Sequence, residues 1–255
     1  MSERLVDESR YETIGYGLGE DRFGHLWQAD GTGPRPVAVL LHGGYWRAPY
    51  RLDLMNPLAA SLAAGGVSVW NLEYRRIGTP GGGWPGLFDD VEAGFGILDL
   101  LAAEHGLDLS RVAVVGHSAG GHLALWLATR TNAVRPALTV ALAPVSDLVG
   151  AHRMGLSNDA AAELMRGTYA RVPERYRAHS PRALLPLGAR LIVVHGRRDE
   201  TVPCGMSAEF CAAASTAGDD CEFLLFDAAD HFALIDPGTE AGAQVSSRII
   251  AELSG

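Results

Sequence analysis

The pentapeptide Gly116-His117-Ser118-Ala119-Gly120 lies where an apolar run, Val112 to Val115, passes into a segment of helical period. A serine there is suited to attack on a carbonyl carbon. The G-x-S-x-G spacing marks a strand-to-helix turn so tight that only glycine fits at its two outer positions, and it lifts the hydroxyl clear of the backbone. The N-terminus of the following helix adds positive potential beside it. The competing reading is a glycine turn with Ser118 as a plain helix cap; the strand before it and the helix after it favour the nucleophile. Upstream, His42-Gly43-Gly44-Tyr45-Trp46 follows another apolar run, Val37 to Leu41. Acyl transfer passes through a tetrahedral oxyanion that needs fixed N–H donors, and glycines let the backbone come close enough to supply them. Gly43 and Gly44 would form one side of that hole and the N–H of Ala119 the other. His42 reads as a brace for the loop rather than a catalytic base.

These residues need a scaffold that brings distant loops to one edge, and the pattern of the chain supplies one. Short apolar runs alternate with stretches of helical period, which predicts a mostly parallel sheet covered by helices on both faces. Strands are expected at Tyr11 to Gly17, Phe23 to Gln28, Val37 to Leu41, Val67 to Leu72, Val112 to Val115, Leu138 to Leu142, Leu191 to Val194 and Phe223 to Phe226, the first two as an antiparallel hairpin. Helices are expected at Leu54 to Ala64, Leu87 to Glu104, Ala119 to Thr129, Cys204 to Ala217 and Gly238 to Leu253. The segment Asp147 to Leu187, rich in Arg, Ala and Tyr, breaks the rhythm and reads as a small helical cap within a single domain spanning residues 1 to 255.

With HGGYW early, GHSAGG in the middle, Gly196-Arg197-Arg198-Asp199-Glu200-Thr201-Val202-Pro203 later and Asp230-His231-Phe232 near the end, the chain resembles the α/β-hydrolases over most of its length. Among their branches, HGGYW with GHSAGGH is similar to kynurenine formamidase and related small esterases; the hormone-sensitive-lipase-like branch, with HGGG and GDSAGG, fits less well. The resemblance implies an α/β-hydrolase fold of about eight strands and a triad of Ser118, Asp199 and His231 in the chain order of that fold. Asp199 would hold the imidazole's tautomer, with Glu200 and Asp147 as weaker candidates for the acid, and His231 would take and return the serine's proton. His152, His179 and His195 suit structural roles, and His122 and Trp126 read as packing residues. Tyr45, Trp46, Trp84, His117 and Phe232 are the candidate pocket residues, with Tyr74, Arg75 and Arg76 as further possibilities at the same sheet edge.

The expected reaction is hydrolysis of a small ester or amide with no metal and no organic cofactor. N-formylkynurenine is the named candidate substrate; a short-chain carboxylesterase, an aminopeptidase-like hydrolase and an inactive hydrolase-fold binding protein are the alternatives. Composition narrows the field further. All 21 basic residues are arginine, so a P-loop GK[ST], a kinase-type lysine and a lysine Schiff base are excluded. A formal net charge of -9 opposes nucleic-acid binding. The three cysteines are odd in number and lack CxxC spacing, which predicts reduced thiols without structural zinc. Met1 to Glu20 has no apolar leader core and no apolar run of spanning length occurs, so a cytoplasmic protein with no membrane partner, monomer or homodimer, is expected.

Overall fold

The computed structural model describes residues 10–130 and 134–255; the first nine residues, part of the segment read for a leader, lie outside them. Among the described residues eight strands form one sheet: β1 (Glu12–Gly15), β2 (Phe23–Trp27), β3 (Arg35–Leu41), β4 (Ser68–Leu72), β5 (Leu107–His117), β6 (Leu138–Leu142), β7 (Arg190–Gly196) and β8 (Asp220–Phe226). Their spatial order is β1-β2-β4-β3-β5-β6-β7-β8. The hairpin β1–β2 and the pair β2–β4 are antiparallel, and all other pairs are parallel. This is the α/β-hydrolase fold that the motifs implied.

Parallel strands buried on both faces read as unbroken apolar runs because successive side chains enter opposite layers. In β3, Val37, Val39 and Leu41 pack with Leu87, Val91 and Phe95 of α2 (Gly86–Gly96) and with Leu123 and Trp126 of α4 (Ala119–Leu127). The alternate residues Ala38 and Leu40 join Leu58 and Leu62 of α1 (Asn56–Ala64) and Val245 and Ile249 of α9 (Glu240–Ser254) on the other face.

Between β6 and β7 lie α5 (Leu148–Met154), α6 (Leu156–Met165) and α7 (Pro173–His179), the helices of the segment expected to cap the sheet. They are tied to the loop after β4: Trp84 N–H donates to the Leu164 carbonyl and the Arg166 guanidinium to the Gly82 carbonyl, both at 2.9 Å.

Three expectations are corrected. The helix expected over Leu87 to Glu104 is broken at Ile97 into α2 and α3 (Leu98–His105). Gly94 is demanded by packing, since a Cβ there would lie 2.3 Å from Leu72 Cδ1, and with Gly96 it weakens the helix just before the break. β5 begins at Leu107, well before Val112, because Leu107 pairs with Arg35 across a bulge. Cys211 of α8 (Cys204–Ala217) and Cys221 of β8 are joined as a disulfide rather than reduced, and Cys204 is free.

Candidate active site

Four loops leave the C-terminal ends of β3, β5, β7 and β8, and register decides which of them meet. Leu41 pairs with Gly116, so the loop after β3 emerges beside the end of β5. Gly196 pairs with Phe226, so the loops after β7 and β8 emerge together. Strand order reverses about β3 and β5, the usual position of ligand sites in open α/β sheets.

Ser118 occupies the turn between β5 and α4 with φ 55° and ψ −115°, a conformation rare for a residue with a Cβ. The turn is locked from two sides: Ser118 N–H donates to the Leu142 carbonyl at 2.7 Å, and its carbonyl accepts from His122 N–H at 3.1 Å. The glycines are steric necessities, because a Cβ on Gly116 would lie 2.0 Å from the Gly120 carbonyl oxygen, and one on Gly120 would lie 2.0 Å from that of Leu41. These are backbone atoms of the core and cannot swing aside. Gly120→Ala is accordingly expected to cost about 3 kcal/mol or more, the upper range of overpacking, read as a lowered urea midpoint.

In the loop after β3, Gly43 touches the nucleophile's residue: a Cβ there would lie 3.1 Å from Ser118 Cβ. His42 is fully buried, and both its ring nitrogens face acceptors, Nδ1 the Gly43 carbonyl at 2.7 Å and Nε2 the Glu73 carboxylate at 3.0 Å. In a planar trans peptide the C=O and N–H point opposite ways, so a Gly43 carbonyl turned toward His42 directs the Gly44 N–H away from it. The Tyr74 hydroxyl donates to the His42 carbonyl at 2.7 Å and its ring stacks on the imidazole. Gly44, Tyr45 and Trp46 continue at φ 107°, 49° and 60°. Ala119 opens α4, where helix geometry leaves the first N–H groups without intrahelical acceptors.

The loops after β7 and β8 bring Asp199 and His231 together: His231 Nδ1 donates to Asp199 Oδ2 at 2.6 Å, and both side chains are buried. Asp199 Oδ1 accepts the N–H groups of Thr201 and Val202 at 2.8 and 2.9 Å. Burial alone would raise the Asp199 pKa, but hydrogen bonds from His195 and His231 outweigh it and hold the carboxyl far below the usual range. Glu200 is exposed, and Asp147 caps α5 by accepting from Val149 N–H at 2.9 Å. Phe232 and Ala233 donate backbone N–H bonds to Asp230 Oδ1, which fixes the loop around His231.

His117 joins the two halves. Its Nε2 donates to the His231 carbonyl at 2.9 Å, and its ring lies 4.6 Å from that of His231. Burial, with the neighbouring His231, pushes its pKa down to about 3, so it stays neutral. Among the described residues the Ser118 hydroxyl makes no hydrogen bond; such bonds in unliganded sites often tighten only on substrate binding.

The candidate pocket residues separate in space. Tyr45 links the loops after β3 and β7, its hydroxyl donating to the Thr201 carbonyl at 2.7 Å, and burial followed by Asp199 raises its pKa to about 12. Phe232 is half exposed and packs edge-on to His231. Trp46 is buried against His122, and Trp84 is half-buried beneath the Arg175 guanidinium, 3.9 Å from its ring centre. Tyr74 and Arg76 are buried below the loop, and Arg75 is bound to Asp90. His195, expected to be structural, stands directly behind Asp199 and is held by Ser207, which the sequence did not single out. The available signal was a histidine closing a central strand immediately before the glycine of the acid's loop.

No group of three or more His, Cys, Asp or Glu side chains able to hold a metal occurs among the described residues, and no helix among them is long and apolar enough to cross a membrane.

Comparison with known proteins places this geometry in context. The BD-FAE family profile matches residues 26–213. The chain is 28% identical over 223 residues to esterase LipQ of Mycobacterium tuberculosis, covering 80% of this chain and 52% of that protein. It is 26% identical over 228 residues to a probable isoprenylcysteine alpha-carbonyl methylesterase of Oryza sativa subsp. japonica, covering 79% of this chain and 52% of that protein. The chain thus spans about half the length of these curated relatives. Among solved structures, esterase B of Lactobacillus rhamnosis superimposes with a TM-score of 0.84 at 18% identity, over 99% of this chain and 87% of that one. A truncated carbohydrate esterase from gut microbiota gives 0.80 at 18% identity, over 98% and 99%.

Proposed function

We propose that this chain, which belongs to the BD-FAE family, hydrolyses carboxylic esters with a small acyl group through Ser118, His231 and Asp199. The observation that carries the reading is the 2.6 Å bond between Asp199 and His231, contributed by two separate loops, at the sheet edge where Ser118 is held in a strained turn. Ser118 attacks the ester carbonyl while His231 Nε2 takes its proton, and Asp199 stabilises the imidazolium. The oxyanion is held by N–H groups of the Gly43-Gly44 segment and Ala119. The alkoxide leaves with the proton from His231, and water, activated by the same imidazole, releases the acid and restores the serine.

A nucleophile only 1% exposed favours acetyl-sized over bulky acyl groups. The names of the relatives above, each an esterase, support the ester over the amide. The aryl formamide suggested by the sequence resemblance is the second substrate class to measure.

The test pairs a fluorophosphonate probe with a substrate series. The expected result is labelling at Ser118 and faster turnover of p-nitrophenyl acetate than of the longer p-nitrophenyl esters or of N-formylkynurenine. Turnover of the formamide without ester cleavage would overturn the ester assignment, and a probe that labels no serine would overturn the mechanism.

A further inference from the structure

Asp199 has two histidine neighbours, and the mechanism above uses one. The other, His195, is the penultimate residue of β7 and is fully buried. Its Nε2 lies 3.0 Å from Asp199 Oδ2 and 3.0 Å from the Val202 carbonyl oxygen. Both partners are acceptors, so this nitrogen carries a proton. Its Nδ1 lies 2.7 Å from the hydroxyl oxygen of Ser207 on α8, also fully buried. In the neutral ring Nδ1 accepts and Ser207 donates, which fixes the tautomer that presents Nε2–H to the carboxylate. A continuous chain therefore runs from α8 through Ser207, His195 and Asp199 to His231.

We infer that His195, held by Ser207, is a positioning residue that sets how strongly Asp199 pulls on His231 and so fixes the pH range in which the site works. The inference rests on the reading of Asp199 and His231 as acid and base. Asp199 Oδ2 accepts from His231 Nδ1 at 2.6 Å and has His195 Nε2, whose N–H donates to the Val202 carbonyl, 3.0 Å away, while Oδ1 is taken by two backbone N–H groups. A carboxylate with three donors and a fourth N–H dipole beside it stabilises each donor less than a carboxylate with the three alone. His195 thus draws off part of the negative potential that Asp199 directs at the His231 ring. Its second effect is geometric, since with the backbone donors it leaves the carboxylate only one orientation.

Other groups facing the pair do not compete for this role. Tyr45, from the loop after β3, and His117, at the end of β5, are both held uncharged across the neutral range. On the histidine's own loop, Asp230 Oδ1 is engaged by the N–H groups of Phe232 and Ala233, and Glu200 beside the acid is exposed.

The test compares the native chain with His195→Leu, His195→Gln and Ser207→Ala. Two readouts are taken: the pH dependence of kcat/KM for p-nitrophenyl acetate, and the pH titration of the low-field proton resonance of the His231 Nδ1–H bond. Removing the donor in His195→Leu is expected to move the acid limb upward by about one pH unit, the equivalent of redistributing one charge-assisted hydrogen bond, and to cost about tenfold in rate below that limb. In His195→Gln the amide N–H reaches the carboxylate, and the limb returns toward its native position. Ser207→Ala, which removes one oxygen atom and frees the tautomer, shifts it the same way by less. An acid limb unmoved in folded His195→Leu overturns the inference; should that variant not fold, an unmoved limb in Ser207→Ala does so. The resonance is read without substrate, so a native chain that cleaves no ester would sink the proposed function while the titration still decides the role of His195.

Discussion

Replacing Ser118 with glycine is expected to abolish ester turnover and, at the same time, to make the protein more stable. The loss of activity is the larger effect: without the hydroxyl no acyl intermediate forms, and kcat falls by about 10⁴ or more, leaving what the oxyanion donors alone supply. The gain in stability follows from the backbone. At φ 55° and ψ −115° a residue with a Cβ is strained, by about 1–3 kcal/mol, and glycine is not. Part of that gain is offset by the greater entropy of glycine in the unfolded chain, about 0.5–1 kcal/mol. The deleted hydroxyl takes no hydrogen bond with it among the described residues, so its removal costs little else. For a domain of this size the net gain corresponds to a rise in Tm of a few degrees, at about 2–4 °C per kcal/mol. Ser118→Ala separates the two effects, since it loses the same activity but keeps the strained Cβ. A Tm that rises equally in both variants would show that the serine's buried hydroxyl, and not the turn, carries the destabilisation. Strain tolerated at a nucleophile is the expected trade of stability for a preorganised attack geometry.

The parts of this architecture legible in the sequence are those set by local periodicity. Val37–Leu41, Val112–Val115 and Leu138–Leu142 announce central strands because each residue enters one of two apolar layers. The two glycines around Ser118 are legible because the turn they permit is made by five consecutive residues. What was not legible depends on partners far away in the chain. The start of β5 at Leu107 is hidden by Asp108, Ser110 and Arg111, polar residues in the bulge between the Arg35–Leu107 and Val37–Val112 pairs. The Cys211 to Cys221 bond joins a helix to an edge strand, and neither spacing nor an odd cysteine count points to it. Tyr45 reaches Thr201 across 156 positions, so its link between the two loops is a product of the sheet order. His195 escaped for a subtler reason. A histidine ending a strand is ordinarily a packed residue, and only the return of the loop onto itself places Asp199 over its Nε2.

Asp199→Asn is the second substitution with a large expected effect, and its consequences follow from the N–H groups around the carboxylate. Asparagine offers one oxygen and one amide nitrogen where aspartate offers two oxygens. If the nitrogen faces Thr201 and Val202, it meets two backbone N–H groups that cannot change. If it faces the histidines, His231 can respond by moving its proton from Nδ1 to Nε2, so the strain is relieved on that side. The imidazole then presents N–H toward the serine and cannot accept its proton. The expected loss in kcat/KM is about 10⁴, the scale on which a wrong tautomer silences a triad. Stability falls as well, by about 3 kcal/mol at neutral pH, because buried donors lose a charged acceptor. The pH dependence has a definite sign. The Asp199 carboxyl is held below its unfolded value of about 3.9, so its contribution is present above that pH and is lost as pH falls further toward the folded-state value. The difference in urea midpoint between native and Asp199→Asn chains should therefore be largest at pH 7 and narrow progressively below about pH 4. A constant difference down to pH 3 would mean that the destabilisation comes from packing alone, and an undiminished rate would transfer the acid's role to Glu200 or Asp147.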